Sequence, residues 1–239
     1  MKNRIVIPAR LKSSRLPYKL IKLIGKLSLI EHICLRAKKI TCDSITVATD
    51  SLEIKSLVEK HGIDVWFSRK KYSNGTHRIA MLCKDLKFNK NDNIINIQGD
   101  EFNFPLKGIK DIISKLTSSK NKSAYTLVTR SKSSKSYNNS DTVKVIFDKN
   151  NNALYFSRSS IPFNPSNDHY QHIGIYGYKV SLLDDYISLK RSPHEIYESL
   201  EQLRFIWNKI PIHCIKAQTK NSISINSSND LRLAKEFIK

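Results

Sequence analysis

Apolar and polar positions follow two different periods along this chain, and the texture changes near residue 120. In the first half, short and almost solidly apolar runs at Arg4–Ala9, Ser44–Thr49 and Asn93–Ile97 have strand length. Between them apolar residues recur at helical spacing over 29–39, 52–61 and 78–86, and Pro105 opens a further helix to about Leu116. Asp50-Ser51 stands where a cap is expected before the helix that starts at Leu52. Strands that alternate with helices imply a mostly parallel sheet covered on both faces.

In the second half the pattern predicts strands at 124–129, 142–147, 153–156 and 173–179, separated by short polar loops. The polar run Ser131–Ser140 reads as a surface loop or a hairpin-like excursion. Ser192-Pro193-His194-Glu195 has the form of a capping box with proline at the first helical position, and predicts a helix to about Trp207. A last strand is expected at 211–215 and a closing helix at 231–238. There is no internal repeat and no clean linker, so residues 1–239 are expected to form one domain with an antiparallel extension.

Composition narrows the class. Hydrophobic residues make up 40% of the 239 positions, enough for a sizeable core. The longest apolar candidate for a membrane span, Leu20–Ile30, is broken by Lys22 and Lys26, and the first ten residues lack the apolar centre of a signal peptide. Cys34, Cys42, Cys83 and Cys214 include no Cys-x-x-Cys pair, which suggests neither a zinc site nor a disulfide framework. A reduced, cytoplasmic protein with no membrane partner is expected.

The formal charge of +20 admits a nucleic-acid partner or anionic substrates. The lysines are spread along the chain with no interleaved aromatics, and Asn, Ile and Lys are all abundant, as a general residue bias produces. Anionic small molecules are therefore expected, and no nucleic acid.

Chemistry gathers at strand ends. Ile5–Ile7 is followed by a loop carrying Arg10, Lys12, Arg15 and Lys19, a set of fixed cations suited to a polyphosphate, although it also reads as a solvated basic loop. Ligands of open α/β sheets bind outside the carboxyl ends of the strands. That rule brings loop 10–19, the segment Asn74-Gly75-Thr76-His77-Arg78 and the turn Gln98-Gly99-Asp100-Glu101 to one rim. There cations can hold a triphosphate, Gly75 can admit a close backbone approach, and Asp100 can hold Mg2+ through oxygen. Gly75 equally serves a turn, and Asp100-Glu101 equally caps a helix.

These segments carry a resemblance. Ile7-Pro-Ala-Arg10 with Ser14-Arg-Leu-Pro-Tyr-Lys19, Val47-Ala-Thr-Asp50, Gly75-Thr76 with Arg78, and Gln98-Gly-Asp-Glu101 are similar to the bacterial CMP-KDO synthetases, the 3-deoxy-manno-octulosonate cytidylyltransferases. The likeness continues through Ala153-Leu-Tyr-Phe-Ser-Arg158, Ile161-Pro162, His172-Ile-Gly-Ile-Tyr-Gly-Tyr178 and Glu198-Ser-Leu-Glu-Gln-Leu-Arg204, in order over nearly the whole chain.

The resemblance implies an α/β fold, a mostly parallel Rossmann-like nucleotidyltransferase sheet with helices on both faces and an antiparallel extension in the second half. Residues 1–120 would mainly bind nucleotide, and residues 121–215 mainly sugar and a second subunit of a homodimer. The implied reaction joins CTP to the acidic eight-carbon sugar KDO, for lipopolysaccharide or capsule, with Mg2+ as cofactor. The implied nucleotide side is Ala9, Arg10, Arg15, Lys19, Asn74, Gly75 and Arg78, with Arg10, Lys19 and Asp100 catalytic and Asp100 on the metal. Gln98, Arg158, His172, Tyr176, Glu201 and Gln202 would take the sugar, Arg158 its carboxylate because a planar guanidinium bonds both oxygens.

Several positions depart from the family pattern. Asn226 stands where a second metal-binding aspartate is usual, and keeps an oxygen while losing the charge. Ser227 and Asp230 read as a cap for the last helix. Asn74 replaces a common serine, His77 an acid, Phe102 a proline and Tyr18 a glycine. These changes leave open a related acidic sugar, such as an 8-amino KDO, or a CTP-binding pseudoenzyme weakened at Asn226. Lys132–Asn139 and 165–168 remain unassigned loops.

Overall fold

A computed structural model of the chain describes residues 1–13, 15–119, 121–164, 168–218 and 222–238. The first half runs β1 (Asn3–Ala9), a single 3-10 turn at Lys19–Ile21, the small hairpin β2 (Leu23–Ile24) and β3 (Leu27–Ser28), then α1 (Leu29–Ala37), β4 (Ser44–Thr49), α2 (Leu52–Glu59), β5 (Asp64–Phe67), α3 (Gly75–Asp85), β6 (Asn93–Ile97) and α4 (Leu106–Ser118). The second half runs β7 (Ala124–Ser131), α5 (Ser134–Asn138), β8 (Lys144–Phe147), β9 (Ala153–Ser157), β10 (His169–Lys179), α6 (Val180–Ser188), α7 (Pro193–Glu198), α8 (Leu203–Trp207), β11 (Ile212–Lys216) and α9 (Ser228–Phe237).

The main path of the sheet has the order β11-β7-β10-β6-β1-β4-β5. Strands β6, β1, β4 and β5 are mutually parallel, and β11 is parallel to β7. Strand β10 enters antiparallel between β6 and β7, and β8 and β9 hang from it as an antiparallel ribbon. The expected parallel sheet with an antiparallel part in the second half is the fold observed. Strand β6 and most of β1 are buried because both faces of the sheet are covered. Ile5 and Ile7 of β1 pack into the core beneath α1 and α4, while Val6 between them joins Ile79 and Leu82 of α3 on the opposite face.

Several elements differ from the sequence expectation. Strand β5 was not predicted, since four residues at a sheet edge carry too little alternation to register. Helix α6 was also missed: it follows β10 without a break, and Lys179 at its start supplies no capping side chain. The helix expected over 192–207 is two, because Ser199 takes a left-handed conformation (φ 52) that ends α7. Ser192 does cap α7, but the Glu195 carboxylate turns to Arg204 at 2.7 and 2.8 Å instead of returning to the cap. Helix α3 begins at Gly75, three residues earlier than expected, which places Gly75 in its first turn. Part of the loop at 131–140 is the short helix α5.

Candidate active site

The turn after β6, the end of β7, the middle of β10 and the α7–α8 turn border a cleft of about 740 Å³. Among the residues singled out from the sequence, Arg15, Asn74, Gln98, Asp100, Arg158, His172, Tyr176, Glu201, Gln202 and Asn226 line it. Arg10, Lys19, Gly75 and Arg78 do not line it but are tied to its lining or to one another's neighbours by the contacts that follow, and Ala9 is buried in the core at the end of β1. Ser14 and residues 165–167 lie outside the described residues.

One corner is built for charge. Lys19, almost buried, donates from Nζ to Asp100 Oδ2 at 3.0 Å. The segment carrying Asn226 is fixed beside it, because the Ile225 amide donates to the Asp100 carbonyl at 2.8 Å. The Asn226 amide nitrogen of the backbone is held by Asp230, which with Ser227 forms the capping box of α9. The Asn226 side-chain oxygen is buried with no hydrogen-bond partner among the described residues. One carboxylate and one unsatisfied amide oxygen are hard donors that suit a small cation, with phosphate and water completing its shell. No group of three or more His, Cys, Asp or Glu positioned for a metal occurs among the described residues. Behind Asp100, Glu101 is buried, and burial together with the Asp100 charge pushes its carboxyl up to about 7.

A second wall is the start of α3. Asn74 caps it, accepting from the His77 amide at 2.8 Å and donating to Tyr186 Oη at 2.7 Å. Asparagine caps a helix as well as the serine it replaces. Glu201 reaches across from the α7–α8 turn and accepts from the Gly75 amide at 2.9 Å and the Thr76 hydroxyl at 2.8 Å. Its burial raises its pKa, and those bonds oppose the rise. Arg78 is buried, bonded to Asp50 at 3.0 Å and lying over the Tyr72 ring, with Nε and Nη1 lacking partners among the described residues. Arg10 donates to the Tyr72 carbonyl at 3.0 Å, and burial and the nearby Arg78 charge lower its pKa.

The third wall is cationic. Arg158 is braced by the Glu198 carbonyl at Nε (2.9 Å) and the Ser140 carbonyl at Nη1 (3.1 Å), which leaves Nη2 uncommitted in these bonds. Burial and the Arg15 charge lower its pKa, so this wall gathers positive potential. Arg15 extends from the first-half loop to pair with Asp141 on the second-half wall. Beneath the wall Lys144 is fully buried and donates to the carbonyls of Asn139, Thr142 and Arg158. Gln202 is buried, and its Nε2 has no partner among the described residues.

The rings of His172 and Tyr176 lie tilted against each other with centres 5.2 Å apart. The Thr126 hydroxyl donates to the Ile175 carbonyl at 2.8 Å, so His172 Nε2, 3.1 Å away, is the donor in their shared bond. Burial pulls the His172 pKa down to about 3, so the ring is neutral, with its proton on Nε2 and Nδ1 free to accept.

From the sequence Asp50 and Glu101 read as caps or motif members and Glu198 as a motif member, none with a role in the site, and Lys144 was not singled out. Ser51 is the cap of α2, accepting from the Ile54 amide, while Asp50 pairs with Arg78. The only signal available for Lys144 was a lysine within an otherwise apolar strand, since its partners are backbone atoms.

A family model described as Cytidylyltransferase matches residues 4–216. The chain is 37% identical over 242 residues to a 3-deoxy-manno-octulosonate cytidylyltransferase of Francisella tularensis subsp. holarctica, covering 98% of this chain and 97% of the relative. It is 35% identical to the protein of that name from Idiomarina loihiensis, over 99% and 98% of the two chains. Among solved structures, CMP:2-keto-3-deoxy-manno-octonic acid synthetase complexed with CTP superposes with a TM-score of 0.89 at 29% identity, covering 100% of this chain and 98% of that one.

Proposed function

This chain belongs to the cytidylyltransferase family, and from that membership we infer that it joins CTP to 3-deoxy-D-manno-octulosonate (KDO), giving CMP-KDO and pyrophosphate. The observation that carries the inference is similarity over nearly the full length to relatives of that name, on the fold of a synthetase that holds CTP.

The anomeric hydroxyl of the sugar attacks the α-phosphorus of CTP, and pyrophosphate leaves in line with the new bond. Catalysis of such a transfer is mainly positioning and neutralisation of charge. Arg10, Lys19 and Arg15 supply cations for the triphosphate, and the start of α3 with Ala9, Asn74, Gly75 and Arg78 receives the cytidine part. The unpartnered Arg78 nitrogens support that role, since a nucleotide oxygen or ring nitrogen would satisfy them. Arg158 binds the sugar carboxylate, while Gln98, His172, Tyr176 and Gln202 meet its hydroxyls. Glu201 serves the same pocket through the first turn of α3.

Asp100 and Asn226 are the residues that would hold Mg2+, whose bound charge offsets that of the phosphates and of the attacking oxygen. Because Asn226 brings no charge, the metal is expected to bind more weakly than it would between two carboxylates. Substitution Asn226→Asp should lower the Mg2+ concentration needed for half-maximal rate.

The product is a donor for lipopolysaccharide or capsule, made in the cytoplasm. No helix among the described residues is long and apolar enough to cross a membrane. A homodimer is supported by the exposed apolar residues Leu154, Ile196, Tyr197 and Trp207 on β9, α7 and α8, elements that pack together. Sedimentation should give a mass near twice 27.5 kDa.

A panel of acidic sugars tests the substrate. KDO should show the highest kcat/KM, and a higher value for 8-amino KDO would overturn the assignment of the sugar.

A further inference from the structure

Strand β10 carries a break that the chemistry above does not use. Against β7 its register jumps between Ile173 and Tyr176, so Gly174 and Ile175 are extra residues facing no partner on that side. Four residues of regular strand span about 13 Å, yet the rings of His172 and Tyr176 sit 5.2 Å apart. The bulge therefore makes the two neighbours, as bulges do when they re-aim side chains beside a site.

Toward β6 the regular pairing of β10 ends at Ile175, so the backbone groups of Gly174 must find partners past the end of that ladder. The Gly174 carbonyl accepts from the Gln98 amide at 3.0 Å. The Gly174 amide donates to Glu101 Oε1 at 2.7 Å, and the other oxygen of that carboxylate, Oε2, accepts from Ser224 Oγ at 2.7 Å. Ser224 faces Glu101 in an isolated antiparallel bridge, two residues before Asn226. The fit is close: a Cβ on Gly174 would stand 2.7 Å from Glu101 Oε1, so the strand needs glycine where the carboxylate rests.

We propose that Glu101 is a positioning residue, whose carboxylate clasps the β10 bulge and the 222–226 segment to the Asp100 turn. It thereby sets His172 and Tyr176 against Asp100 and Asn226. The role is geometric. It rests on the reading of the cleft as a KDO site for its kinetic consequence, but the clasp can be measured without that reading.

The decisive variant is Glu101→Gln. Its amide oxygen can accept from the Gly174 amide while its nitrogen donates to the Ser224 hydroxyl, which preserves both bonds without charge. Glu101→Ala loses both. In the alanine variant KM for KDO should rise about tenfold or more, and the Mg2+ concentration for half-maximal rate should rise with it because the Asn226 segment is released, as for loss of bonds to buried groups. The glutamine variant should stay within about threefold of wild type on both.

Amide hydrogen exchange supplies the second readout: Gly174 should exchange at least about tenfold faster in Glu101→Ala, and at the wild-type rate in Glu101→Gln, with β1 unchanged in both. Ser224→Ala, a milder change, should raise KM for KDO about threefold and serves if the alanine variant fails to fold. Equal damage from glutamine and alanine would overturn the proposal, as would unchanged Gly174 exchange in Glu101→Ala or an unchanged KM in Ser224→Ala. Wild-type protein that turns over no KDO would refute the functional reading alone, and the exchange rates would still decide the clasp.

Discussion

Single residues here answer to partners far away in the chain. Tyr18 stands in the left-handed region at φ 55, where the family pattern has glycine, and its ring is half exposed. Left-handed backbone costs a residue with a Cβ about 1–2 kcal/mol, and glycine gives back part of that in the unfolded chain. Tyr18→Gly should therefore stabilise the protein by about 0.5–1 kcal/mol in urea unfolding, the opposite of what glycine does at an ordinary position. His172 gives a pH signature. In the folded protein burial holds its pKa at about 3 against 6.5 for the free side chain, so the unfolded state takes up the proton first as pH falls. Its contribution is complete above pH 6.5 and is lost progressively toward pH 3. Between pH 6.5 and 5 the loss should be about 1 kcal/mol, allowing for solvent at the ring edge, and His172→Gln should remove that part of the pH dependence. Types and order of residues were enough to nominate Arg158, His172 and Asp100 from the sequence. The partners of Asp50, Glu101 and Lys144 were illegible, because an ion pair or a bond to a carbonyl across tens of residues leaves no local trace.

Elements were readable where their ends carry local chemistry. The caps at Ser51 and Ser192 and the box at Ser227 and Asp230 are all formed, because each needs only residues within one turn. Helix α6 has no such signal, and the break at Ser199 depends on how α7 and α8 pack, so both escaped the pattern. The start of α3 is where an element becomes part of the cleft. Asn74→Ala removes its cap and should cost about 1 kcal/mol in chemical unfolding, with a higher KM for CTP; Asn74→Ser keeps the cap and should cost less. The turn carrying Glu201 and Gln202 is pinned by the buried pair of Arg204 and Glu195. Arg204→Ala would strip the buried Glu195 carboxylate of its two short bonds and leave it only the longer pairing with Arg191 at 3.5 Å, and should destabilise by about 2–3 kcal/mol in the same measurement. An observed loss under about 1 kcal/mol would show that this pair does not hold the turn.

At the scale of the whole molecule, the sheet brings together loops from both halves of the chain. The succession of strands and helices was sufficient to read the class of fold. The strand order was not, since β10 slips between β6 and β7 from far along the sequence, and that insertion carries His172 and Tyr176 to the rim beside Asp100. Family membership and the walls of this one cleft then converge on transfer of CMP to an acidic sugar. The most direct test is phosphorus NMR of the purified chain with CTP, KDO and Mg2+. The account predicts a new phosphodiester signal growing together with an equal amount of pyrophosphate, absent without KDO and strongly reduced in Asp100→Asn. CTP that stays intact with KDO present, in folded protein at high Mg2+, would contradict it.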